Sequence, residues 1–268
     1  PETASDLTVT GTSMATVVAL KTARDAALDF ATRTRGVQDA KLVGYTSAEA
    51  HACNARAFDI LGLGSDALRL IPSDDAFRLD TAALKDAIAE DRKAGLVPFI
   101  VIATAGTVNT GMIDPLEAIA DIAEAESLWM HVDGAFAASG IMSERLKPHL
   151  KAIARADSLA FDFHKWLHVN YDAGFVLIRH ETLHRHAFSS RPDYLKGAAR
   201  GLAAGNPWPV EYGPELSRGF RALKVWAQLL EYGPDRLGAA ITANCELVQA
   251  LAARVDADPR LERLAPVE

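Results

Sequence analysis

The chain has 268 residues, 49% of them hydrophobic and 24% charged, which is enough apolar material for one large core or a core with part of a second. A net charge of −7 and a sequence pI near 5.6 leave no basic excess to neutralise phosphates, which argues against a nucleic-acid partner. No apolar run approaches a membrane span, and the start of the chain lacks the charged and apolar regions of a secretory signal. Two distant cysteines, Cys53 and Cys245, form no metal-ligand spacing and suit a reducing compartment, so a soluble cytoplasmic protein is expected.

In chain order, the first feature is a glycine-containing helix start, Gly11-Thr12-Ser13, read as following the N-terminal residues directly. Residues 41–45 (KLVGY) read as a strand, and Thr46-Ser47-Ala48-Glu49 has the spacing of a capping box opening a helix to about Leu61. Residues 67–71 form a second strand, and Asp80 caps a helix that Gly95 ends. Residues 98–104 (PFIVIAT) are apolar on both faces, as buried parallel strands are. Asp114-Pro115 reads as a cap with proline at the first helical position, followed by helix 115–126.

Residues 128–133, 158–163 and 174–179 read as three more strands, and residues 197–209 as a loop punctuated by glycine and proline. Residues 215–232 and 235–255 are helical with no strand between them. This change of rhythm divides the chain into a large domain, 1–232, and the start of a small C-terminal domain, 233–268. Strands separated by helices predict an α/β fold with a mostly parallel sheet flanked on both faces. Both ends read as abrupt, so further sequence is expected beyond each.

In open α/β sheets, ligands bind beyond the carboxyl ends of the strands. Thr104, Asp133 and the His164-Lys165 pair stand at such ends, His51 follows strand 41–45, and Thr12-Ser13 opens a helix. The helix start offers free N–H groups, hydroxyls and a positive dipole end to a phosphate, although Ser and Thr are also common neutral caps. A carboxylate such as Asp133 is costly to bury unless paired with a cation, and a protonated pyridine nitrogen is one; a helix cap or metal ligand is the competing reading. Lys165 suits a Schiff-base lysine at a fixed, partly desolvated point, whereas most lysines at strand ends are ordinary surface residues. His51 and Thr104 suit ring contacts, and both types also occur as satisfied buried polar groups. Together these groups fit pyridoxal 5′-phosphate (PLP), with its phosphate, basic ring nitrogen and aldehyde. His149, His180, His184 and His186 read as surface residues, and no metal site is expected.

Residues 157–166 (DSLAFDFHKW) and 128–138 (LWMHVDGAFAA) resemble the group II PLP-dependent amino-acid decarboxylases, and are most similar to the aromatic-L-amino-acid branch. The likeness continues through residues 45–51 (YTSAEAH), 71–74 (IPSD), 95–109 (GLVPFIVIATAGTVN) and 220–226 (FRALKVW). It implies the aspartate-aminotransferase-like fold (fold type I) in a homodimer acting on a small amino-acid substrate. By the same resemblance Lys165 forms the Schiff base, Asp133 pairs with the pyridine nitrogen, His51 stacks on one ring face and Ala135 packs on the other. Thr12, Ser13 and His164 hold the phosphate, and Thr104 lies near the cofactor.

Three departures accompany the likeness. Asp162 and Phe163 stand where the family usually has Asn and Pro, and Asp162 is left out of the cofactor set because a carboxylate near a phosphate is repulsive unless it turns away or meets a donor. Pro209 falls where the family's mobile loop carries a proton-donating tyrosine, with Tyr212 nearby but offset, so the donor is open. The family's N-terminal segment and most of its C-terminal domain have no counterpart here. The expected activity is α-decarboxylation of an L-amino acid, aromatic favoured. The alternatives are decarboxylation with oxidative deamination to an aldehyde, or a non-catalytic fragment or paralogue. A nucleotide-binding domain is disfavoured by the absence of its glycine motifs.

Overall fold

The computed structural model describes residues 3–190, 200–201 and 208–267. Most of the glycine- and proline-punctuated loop 197–209 lies outside the described residues. Seven strands form one sheet: β1 (Ser5–Val9), β2 (Leu42–Ser47), β3 (Leu68–Ile71), β4 (Val97–Thr104), β5 (Trp129–Asp133), β6 (Ser158–Asp162) and β7 (Gly174–Ile178). Their spatial order is β1-β7-β6-β5-β4-β2-β3. The run from β6 to β3 is parallel, whereas β7 pairs antiparallel with both β6 and β1.

The helices that matter for the site are α1 (Thr12–Ala27), α2 (Cys53–Ile60), α3 (Thr81–Lys93), α4 (Leu116–Ala125), α5 (Glu181–Phe188) and α6 (Arg221–Ala257). Strand β4 shows why the sheet has two covered faces. Its Ile100 and Ile102 pack with Val18 and Leu20 of α1 and Phe58 of α2. Its Val101 and Ala103 point the other way, into a cluster with Leu84, Ile119 and Met130. Period-two alternation thus feeds both layers, and each fully buried isoleucine contributes about 1.5–3 kcal/mol.

Several sequence expectations are corrected. β1 precedes Gly11, where a helix start alone was read; its five residues carry little signal until β7 supplies a partner. The Thr46–Glu49 capping box does not open a helix. β2 continues through Ser47, whose Oγ accepts from Glu49 N at 3.1 Å, and α2 begins only at Cys53. Asp114 does not cap α4: its buried carboxylate accepts from Leu79 N (2.8 Å) and Thr104 N (2.7 Å), tying its own loop to the segment before α3 and to the end of β4. Burial pushes its carboxyl up to about 6, against the lowering pull of those two bonds. Asp80 does cap α3, accepting from Ala82 N and Ala83 N.

His184 is fully buried rather than a surface residue, bridging Ser5 Oγ (2.8 Å) and Tyr212 O (2.7 Å), whereas His149, His180 and His186 are exposed. The last two predicted helices are continuous in α6 apart from a kink at Gly233 (φ 70°) ahead of Pro234, and the first of them starts at Arg221 rather than near residue 215. Beyond the kink, Ser143 Oγ and Thr242 Oγ1 lie 2.7 Å apart and Trp166 Nε1 donates to Asn244 Oδ1, so this segment packs on the sheet domain. Among the described residues no helix is long and apolar enough to cross a membrane.

Candidate active site

The parallel strands β4, β5 and β6 end on one side of the sheet, with Thr104 registered against Asp133 and Asp133 against Ala160. Next to them the turn from β1 delivers Gly11 to the N-terminus of α1. That turn can approach because Gly174 has no side chain: a Cβ there would lie 2.4 Å from Gly11 Cα. Between these ends opens a cleft of about 630 Å³. Thr12, Ser13, His51, Thr104, Asp133, Ala135, His164 and Lys165 all line it, so the eight candidates drawn from five separate stretches of sequence meet in one place.

Asp133 is 2% exposed. Ala135 N donates to its Oδ1 at 3.2 Å, and the Cys53 thiol reaches its Oδ2 at 3.8 Å. Burial holds its carboxyl above the usual carboxylate range, opposed by the Ala135 amide and by the positive charge of Lys165. A carboxylate so placed calls for a cationic partner in the cleft. His51 stands in the turn just before α2, not within its first turns, and its Nδ1 accepts from Cys53 N at 3.1 Å. His164 Nδ1 accepts from Ala173 N at 3.0 Å, which leaves Nε2 as the protonated nitrogen of the neutral ring. Its ring lies 4.1 Å from that of Tyr171, another residue of the cleft.

Lys165 follows β6 with its side chain 39% exposed, and its Nζ lies 3.2 Å from Asp162 Oδ2. Trp166 turns away and stacks on Phe136 at 4.5 Å between ring centres. Asp162, set aside on grounds of charge, is the residue that sequence reasoning missed. It is 4% exposed, accepts from Thr12 N at 2.7 Å, and has Lys165 and His164 beside its second oxygen. The donors that excuse a carboxylate near an anion site are therefore present. The alternation of β6, with Ser158, Ala160 and Asp162 facing the same way, is the sequence signal for its inward direction. Cys53 had no such signal, because its contact spans 80 residues. Tyr212 is buried away from the cleft lining, with its hydroxyl donating to Glu181 Oε1 at 2.6 Å, and Pro209 begins the short turn that leads to it.

The cleft fits a molecule that carries a phosphate, a ring cation and a group reactive toward amines. Thr12 Oγ1 and Thr104 Oγ1 are buried with no hydrogen-bond partner among the described residues, so each awaits one. At the start of α1 the amides of Thr12, Met14 and Ala15 are engaged, by Asp162 and by Gly11 O, so the Thr12 and Ser13 hydroxyls are the groups the helix start offers a phosphate, and Asp133 and Lys165 supply the anion and the amine. No group of three His, Cys, Asp or Glu among the described residues is arranged to hold a metal.

A fold-type-I sheet with a lysine, a buried carboxylate and a Thr-Ser helix start at its carboxyl edge is the arrangement of a PLP-dependent protein. The pyridoxal-dependent decarboxylase conserved domain matches residues 2–268, and the chain belongs to that family. An aromatic-L-amino-acid decarboxylase of Bacillus atrophaeus is 39% identical over 253 residues, 94% of this chain and 51% of its own length. The structure of Oryza sativa TDC with PLP and tryptamine superposes with a TM-score of 0.90 at 31% identity, covering 99% of this chain and 55% of that one. Rhodiola rosea 4-hydroxyphenylacetaldehyde synthase does so with a TM-score of 0.85 at 29% identity, covering 99% and 54%. The chain thus spans about half the length of these relatives.

Proposed function

We propose that this chain is the cofactor-binding part of a decarboxylase that converts an L-amino acid, aromatic by preference, to its amine and CO2. The observation that carries the reading is the meeting of Lys165, the buried Asp133 and the Thr12-Ser13 helix start around one cleft. Bound there, PLP supplies an electron sink for the pair left on the α-carbon as CO2 departs. Thr12, Ser13 and His164 hold its phosphate, with the dipole of α1 adding to the attraction. Asp133 would keep a proton on the ring nitrogen, and His51, Ala135 and Thr104 would hold the ring. Lys165 Nζ would be the covalent anchor of the cofactor's aldehyde carbon.

The aromatic preference is supported by a second cavity of about 630 Å³, which shares Gly111, Phe136 and Lys165 with the first and is lined largely by apolar side chains such as Met112, Trp166 and Val248. The aldehyde-forming alternative is supported by Pro209 at the family's loop-tyrosine position and by the engagement of Tyr212 with Glu181, which leaves neither placed to return a proton to the α-carbon. We further propose a homodimer, consistent with the exposed Leu223, Trp226 and Leu230 on α6. A reducing, cytoplasmic setting agrees with two free cysteines. The kink at Gly233 supports a boundary between a domain of residues 1–232 and a second beginning at 233.

Loading with PLP should give a visible Schiff-base band that borohydride abolishes and that Lys165→Ala never forms. A panel of L-amino acids, followed for CO2 and for amine against aldehyde, ammonia and peroxide, then decides the product. Absence of the band in the unmodified protein would overturn the cofactor assignment, and a band without turnover would leave the non-catalytic reading standing.

A further inference from the structure

We propose that Cys53 is a positioning residue of the cofactor cleft, whose thiol orients the Asp133 carboxylate while its backbone N–H fixes the His51 ring. The argument rests on the proposed placement of PLP between those two side chains. Asp133 has two oxygens to direct. One is taken by Ala135 N at 3.2 Å, and the other has the Cys53 Sγ at 3.8 Å, within reach of a weak S–H donor. Both side chains are almost fully buried, at 3% and 2% exposure, so neither bond competes with bulk water. The same residue is the first of α2, and its amide donates to His51 Nδ1 at 3.1 Å. One residue therefore sets the group at the ring edge and the group at the ring face, which come from different strand–helix units.

The chemistry of the thiol agrees with a donor's part. Burial first, and the Asp133 charge second, push it up to about 12, so at neutral pH it keeps its proton and is a poor nucleophile. A thiolate in that place would repel Asp133 and loosen the anion that has to hold a proton on the ring nitrogen. Serine preserves a donor at Cys53 and alanine removes it, while the backbone bond to His51 survives in both.

The test uses Cys53→Ala and Cys53→Ser in the whole protein, with PLP affinity, the pH dependence of the visible band and thermal midpoint as readouts. Loss of one such hydrogen bond corresponds to a roughly two- to tenfold loss of affinity. That loss, with a displaced band titration, is expected in Cys53→Ala and reversed in Cys53→Ser. A second arm needs no cofactor. In a Cys245→Ser background Cys53 is the sole thiol, and Asp133→Asn should speed its alkylation at mildly alkaline pH. An unchanged alkylation rate overturns the contact. Wild-type affinity and band titration in Cys53→Ala overturn the positioning role, even if stability falls. Failure of the unmodified protein to bind PLP overturns this role together with the cofactor assignment, whereas failure confined to Cys53→Ala and Cys53→Ser leaves that assignment intact.

Discussion

Gly174→Ala tests whether the proposed phosphate cradle at the head of α1 is set by the strand behind it. A Cβ at residue 174 falls 2.4 Å from Gly11 Cα and 2.6 Å from both Gly11 N and Gly11 C. All three are backbone atoms, and none is the free end of a flexible side chain. Carbon atoms rest comfortably at about 3.5–4.0 Å, so the Gly11 turn has to withdraw by about 1 Å. Overpacking of this kind costs about 1–3 kcal/mol, which lowers the thermal midpoint by several degrees in a chain of this size. The withdrawal carries Thr12 and Ser13 with it and stretches the 2.7 Å bond from Thr12 N to Asp162. Displacing a positioned group by about 1 Å costs up to about 10²-fold in function. PLP affinity, read from the visible band during titration, should therefore weaken at least about tenfold, while far-ultraviolet circular dichroism shows a folded protein. A folded Gly174→Ala protein with wild-type affinity would refute the reasoning, because the cradle would then be shown to adjust independently of β7.

Two further outcomes follow from the buried polar groups. Replacing Asp162 by asparagine keeps an acceptor for Thr12 N and should hold PLP affinity within a few-fold, whereas Asp162→Ala strands that N–H and should weaken it by about tenfold or more; equal effects in the PLP titration would contradict an acceptor role. Burial pushes His184 down to about 4 from its ordinary 6.5, so on acidification the unfolded chain takes up a proton before the folded one does. The stability this group contributes is present above pH 6.5 and is lost as the pH falls towards 4, by roughly 3 kcal/mol. His184→Gln should flatten that part of the profile, and urea midpoints at pH 7 and 4.5 that fall equally in both proteins would sink the assignment.

How much was legible in the sequence follows from where each signal resides. β4 was plain because a strand covered on both faces writes its burial into six consecutive residues, Phe99 to Thr104. β1 was hidden because five residues at a sheet edge carry no pattern until the distant β7 supplies their partner. Asp133 and Lys165 stood out because polar groups at the ends of apolar strands have few structural excuses. Asp162 was misjudged for a different reason. Charge alone argued against it, and the two donors that offset the charge, Lys165 Nζ and Thr12 N, come from β6's own continuation and from a helix 150 residues away. His184 failed the same way, since its burial depends on Ser5 and Tyr212 closing over it from separate parts of the chain. The capping box at residues 46–49 had the right spacing, but β2 had not yet ended, and strand pairing outweighed a local motif.

β1 joins the sheet only at its edge, beside β7, and the turn it delivers meets the cleft only when residue 174 is in place. During synthesis the proposed phosphate-binding residues therefore wait for β7, the last of the described strands, before they have a surface to complete. A nascent chain shorter than about residue 178 can assemble the parallel strands, yet it has nowhere to seat β1. On the proposed reading, cofactor capture would then report that the sheet has closed.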